Sequence, residues 1–172
     1  MRKTWMKVTL GAALFSCVFW AHATGQSNEK SFKATLSGLQ EVPANSTTGI
    51  GEFRAQLDAT ESTLTYQLDY SGLEGTTTLF AHVHLGQRGV NGGVSFFLCG
   101  GGGKPACPAT QATVTGTVTA ADVVGPAGQG IAPGEFAEIV AALQSGTAYA
   151  NVHTDKHQGG EIRGQIKDAR SE

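Results

Sequence analysis

The chain has 172 residues, 40% of them hydrophobic, with 24 glycines, 12 basic and 14 acidic side chains and a formal net charge of −2. That apolar content excludes a disordered chain, and a weakly acidic balance with no basic stripe excludes nucleic acid as a partner. The length suits one domain with a core of its own.

The N-terminus reads as an export signal. Arg2, Lys3 and Lys7 form a basic start, an apolar run follows from Val8 to Trp20, and Ala21-His22-Ala23 has the small-x-small form of a cleavage site. The run is too short to be a comfortable membrane span. Residues 1–23 are therefore set aside as a signal peptide, and a periplasmic or secreted protein with no membrane span is expected. Leu14-Phe15-Ser16-Cys17 faintly resembles a lipid-attachment box, but Phe15 is bulky and apolar residues continue past Cys17. Losing three basic residues leaves nine against 14 acidic ones, a net charge of −5.

Residues 24–31 are polar and read as a flexible leader. From Phe32 the pattern has period two, the mark of half-buried strands. Phe32, Ala34 and Leu36 alternate with Lys33, Thr35 and Ser37, and Leu64, Tyr66, Leu68 and Tyr70 alternate with polar neighbours. Further strands are predicted at Gly51 to Leu57, Thr77 to Leu85, Val94 to Leu98, Ala112 to Thr119, Thr147 to His153 and Glu161 to Lys167, separated by Gly, Pro, Asn and Asp clusters. One segment differs. Pro133 sits at a first helical position, Phe136, Ile139, Val140 and Leu143 recur at i, i+3, i+4 and i+7, and Gly146 supplies a stop. About eight short strands and one amphipathic helix predict an all-β fold, an antiparallel immunoglobulin-like or Greek-key β-sandwich.

Two cysteines remain after cleavage, Cys99 and Cys107, bracketing a loop that contains Gly100 to Gly103. In an oxidising compartment this pair is most simply a disulfide, worth about 2–3 kcal/mol by loop closure. Thiolate ligation of a metal is the alternative, but the spacing matches no zinc pattern.

Two look-alike segments carry the chemistry. Ala81-His82-Val83-His84 and Ala150-Asn151-Val152-His153 each lead through a turn to a Gly-Gly pair, Gly92-Gly93 and Gly159-Gly160, as in a weak internal repeat. Alternation along a strand puts His82 and His84 on one face, and Asn151 with His153 on one face. Three imidazoles with one open position form the donor set of a reactive metal site, for which copper is preferred and zinc is the alternative. His157 is a fourth candidate ligand. Asn151, Asp155, Glu161 and Arg163 are candidate partners that would orient the rings. Against this stands a plainer possibility, that a His-x-His strand is simply hydrogen-bonded and Glu161 and Arg163 form ordinary ion pairs. No nucleophile elbow or phosphate loop is present, and Glu41-Val42-Pro43 reads only as an extended junction.

The segments Ala34 to Pro43, Ala81 to Gly86, Tyr149 to Thr154 and Gly160 to Ile166 together resemble the CHRD domain family, named for chordin and found in exported bacterial proteins. The resemblance implies an immunoglobulin-like β-sandwich over residues 32–168 in an extracytoplasmic setting, with no established activity for most bacterial members. The family's Asn-Pro turn is replaced here by Lys156-His157-Gln158, which makes His157 particular to this chain. The His-x-His strand, the later His153 and Arg163 are also similar in order to copper-zinc superoxide dismutase, although the Gly86 to Gly93 turn has no counterpart of that enzyme's zinc ligands. Three readings follow: a copper-binding exported protein; a non-catalytic module with a protein or glycan partner, which the family's namesake suggests; and a dismutase-like enzyme in which Arg163 steers an anion.

Overall fold

In a computed structural model the described residues are Met1 and 30–170. The expected signal peptide, Cys17 and most of the leader lie outside them. Nine strands form one antiparallel sheet: β1 Lys30–Ser37, β2 Ile50–Leu57, β3 Leu64–Ser71, β4 Thr78–Leu85, β5 Val94–Cys99, β6 Ala112–Val118, β7 Ala148–Thr154, β8 Ile162–Gln165 and β9 Lys167–Asp168. Their order is β5-β4-β7-β8-β1-β2-β3-β6, with β9 also paired to β1. The end strands β5 and β6 approach each other, and the Tyr66 hydroxyl on β3 donates to the Leu98 carbonyl on β5 at 2.7 Å. The result is a flattened, nearly closed barrel, the all-β architecture that alternation predicted. Among the described residues no helix is long and apolar enough to cross a membrane.

The core follows from the alternation. Phe32, Ala34 and Leu36 of β1, Phe53, Ala55 and Leu57 of β2, and Leu64, Tyr66, Leu68 and Tyr70 of β3 all point inward and are buried, while their neighbours face out. The helix α1, Phe136–Ser145, lays Phe136, Ile139, Val140 and Leu143 into the same core. It ends where expected, at Gly146 in the left-handed region with φ 70°. It starts later than expected. Pro133 lies in the preceding turn, where the Glu135 carboxylate accepts from the Ala132 amide at 2.7 Å, so the first helical residue is Phe136.

Several strand ends differ from the sequence reading by a single residue, as at Ile50, Thr78, Cys99, Val118 and Ala148, and two differences are larger. Lys30 and Ser31, assigned to the leader, are the first rungs of β1, because Lys30 pairs with Leu57 and also meets Glu61. The predicted strand from Glu161 to Lys167 is split at Ile166, whose amide donates to Ala148 while its side chain enters the core. Cys99 and Cys107 form the expected disulfide.

The two halves of the barrel meet at β8 and β1, where Ser37 lies opposite Arg163. At Gly164 a Cβ would stand 2.5 Å from the Thr35 carbonyl oxygen, so only glycine lets β8 lie this close. Gly164→Ala is expected to lower stability by about 1–3 kcal/mol, measured by urea unfolding; an unchanged midpoint would show that the seam tolerates separation.

Candidate metal centre

β4 and β7 are antiparallel neighbours in a register that sets Phe80 opposite His153, His82 opposite Asn151 and His84 opposite Tyr149. Aligning the look-alike segments matches Phe80 with Tyr149, Ala81 with Ala150, His82 with Asn151, Val83 with Val152 and His84 with His153. Strands aligned and paired in this way are related by a local two-fold through the His82–Asn151 pair. β5 flanks β4 on one side as β8 flanks β7 on the other. The internal repeat is thus realised in the pairing. Ala81, Val83, Ala150 and Val152 fill the core, and the polar members share the outer face.

On that face His82, His84 and His153 each offer one ligand atom, all within 4.8 Å of one another. The ring centroids of His82 lie 4.4 Å from His84 and 4.6 Å from His153. Donors bound at about 2.0–2.1 Å in trigonal or tetrahedral geometry stand about 3.3–3.6 Å apart, so small ring rotations close the gap. The outer nitrogens are fixed by the backbone. His84 Nδ1 lies 2.9 Å from the Gly92 carbonyl and His153 Nδ1 2.8 Å from that of Gln158, a symmetric arrangement in which the loop after each strand holds its ring. A carbonyl accepts, so each Nδ1 carries the proton and each Nε2 is left as a lone pair. Both Nε2 atoms, together with His82 Nδ1, are buried without a partner.

The rings are only 5%, 8% and 7% exposed for His82, His84 and His153. Phe97 meets His82 edge-on at 5.2 Å, and Phe80 lies 5.3 Å from His153. Gly101 and Gly102, in the loop closed by the disulfide, pack against the Phe97 ring. Burial, reinforced by the mutual repulsion of the rings, pushes the His82 imidazole down to about 2; burial holds His84 at about 4 and lowers His153 as well. The three are neutral at physiological pH, as metal ligands must be.

The remaining candidates sit differently. His157 stays outside the cluster, with its Nε2 3.9 Å from Glu74. Asp155 closes a turn, accepting from the Thr76 hydroxyl and the Thr77 amide. Glu161 is fully buried and gathers loops, accepting from Thr47, Thr154 and the amide of Glu74. Neither carboxylate touches an imidazole. Asn151, opposite His82, donates to Glu41 at 2.6 Å and to the Ile162 carbonyl at 3.0 Å. Arg163 acts through a stack: its guanidinium lies 3.4 Å from the Tyr149 ring centroid, and that ring is parallel to His84 at 4.5 Å. The guanidinium also donates to the Val90 carbonyl at 2.7 Å and to Asn91 at 3.0 Å, fixing the loop whose Gly92 holds His84. At 2% exposure it presents no cation to solvent.

Glu41 is the residue that sequence reasoning passed over. It is buried beside Asn151, and burial raises its carboxyl to about 7 against the lowering effects of Asn151 and Arg163. A glutamate before Val-Pro gives no periodic signal, and its partner is 110 positions away.

Fold and site together define an all-β domain carrying a buried cluster of three histidines on the outer face of its sheet. The sequence model of the CHRD domain matches residues 32–166, and the chain belongs to that family. No curated protein matches it.

The buried groups give a signed pH dependence. Below about 6.5 the unfolded chain takes up protons that the folded imidazoles exclude, so metal-free protein loses stability as pH falls from 6.5 toward the depressed folded values. Glu41 opposes this. Its folded value is raised, so its contribution is complete below its ordinary value of 4.5 and is lost as pH rises toward about 7. Glu41→Gln keeps an acceptor for Asn151 and removes that opposing slope, about 1.4 kcal/mol per pH unit at most. Urea unfolding of chelator-treated protein from pH 5 to 8 should show the variant gaining on the wild type as pH rises; parallel curves would contradict a buried, proton-holding Glu41.

Proposed function

We propose that the protein is an extracytoplasmic CHRD-domain protein that binds one transition-metal ion, copper in preference to zinc, through His82, His84 and His153, for sequestration or delivery rather than catalysis. The observation that carries this reading is the convergence of three buried imidazoles whose inward nitrogens lack any partner. Buried acceptors left unpaired cost about 1–3 kcal/mol each, and a metal ion satisfies all three at once. The disulfide and the signal-like N-terminus support export. The buried, engaged Arg163 gives no support to anion steering of the dismutase kind.

A second reading, an interaction module, is favoured by a shallow groove of about 670 Å³ on the far side of the barrel, bordered by Thr35, Glu52, Asp69 and Tyr70 and by the exposed Ile50. A protein or glycan partner held there would be indifferent to the histidines.

Chelator-treated mature protein titrated with copper should take up about one equivalent at neutral pH. The His82→Ala/His84→Ala variant should lose more than the about 10–100-fold in affinity that outer partners contribute to metal sites, while His157→Ala should bind as the wild type does. Elemental analysis after gel filtration reads the stoichiometry, and equal uptake by the double variant would refute the site.

A further inference from the structure

Resting on the metal reading above, we infer that the site is built for a monovalent ion, Cu(I), and discriminates against Cu(II) and Zn(II). The donor set carries no anion: three neutral imidazoles gather, among the described residues no carboxylate or thiol joins them, and Cys99 and Cys107 are closed in a disulfide. The carboxylates of this region are turned elsewhere, Glu161 to Thr47 and Thr154, Asp155 to Thr76 and Thr77, Glu41 to Asn151. No anion therefore offsets the charge of a bound ion. A cation stands nearby instead, Arg163 stacked on Tyr149, which is stacked on His84.

The energetic consequence depends on charge squared. Moving an ion from water to a poorly polarisable site costs about four times as much for a divalent ion as for a monovalent one of similar size, and here Phe80 and Phe97 replace water around His82 and His153. Three donors also suit the ion. His84 and His153 are related by the two-fold, and the place equivalent to His82 belongs to Asn151, a neutral side chain whose amide hydrogens go to Glu41 and the Ile162 carbonyl. Zn(II) in a three-histidine site takes a fourth ligand such as water, and these three histidines are only 5–8% exposed. Cu(I) is stable with three nitrogens and no anion.

The test is a pair of competition titrations on full mature protein, Cu(I) against bicinchoninate without oxygen, and Cu(II) and Zn(II) each against a chelator of known affinity. Cu(I) should bind at least about a hundredfold more tightly than Cu(II), which places the potential of the bound copper about 120 mV above that of the aqueous couple at about 59 mV per tenfold. Phe80→Glu, which sets a carboxylate beside the rings, should reduce that preference at least about tenfold. Cu(II) or Zn(II) held as tightly as Cu(I), or an unshifted potential, would overturn the inference and leave the metal site standing. Failure of the protein to hold any of the three ions would remove the site itself.

Discussion

The site depends on one constraint, the register of β4 against β7. Side chains alternate between faces, so the pairing that seats Ala81, Val83, Ala150 and Val152 in the core also places His82, His84 and His153 together outside it. A slip by one residue would bury imidazoles in the core and expose valines. The hydrophobic effect thus fixes the donor cluster without acting on the donors, since the apolar half of each strand has only one good register.

Proximity alone would give a solvated polar stripe, and the second layer makes it a site. The loop from Gly86 to Gly93 is drawn over the sheet by Arg163 and Tyr149, whose hydroxyl accepts from the Gly92 amide. The turn after β7 is gathered by Glu161 through Thr154. Each loop then returns a carbonyl to one histidine Nδ1. Of the four residues expected beside the rings, Arg163 and Glu161 bear on them only through these loops, while Asn151 and Asp155 bond elsewhere.

Most of the sheet was legible because period two is a local signal, and the helix because 3.6-residue spacing and Gly146 are local as well. The histidine cluster was legible for the same reason, with the repeat supplying the second half. What sequence could not show was the covering. Glu41, the loop clamp of Arg163 and the exclusion of His157 depend on contacts between segments far apart in the chain, and no spacing rule encodes them. Lys30 and Ser31 were misplaced because two polar residues at a strand end carry no alternation, although the ladder to Leu57 needs them.

The two-fold also indicates why the cluster stops at three. His82 and Asn151 occupy equivalent places, and Asn151 puts a neutral amide there whose hydrogens go to Glu41 and to the Ile162 carbonyl. Its partner Glu41 is held near neutrality by burial, so that pair adds a hydrogen bond without adding a full anion beside the rings at or below neutral pH. The asymmetry therefore does two things at once. It limits the imidazoles to three, and it places a neutral side chain where a fourth would stand. A buried cluster of this kind would be electrostatically costly to fill and is energetically incomplete on its own, because His82 Nδ1 and the Nε2 atoms of His84 and His153 have no hydrogen-bond partner. On the metal reading proposed above, folding and ion binding would be linked, and the charge of the ion would set how tightly the protein holds it.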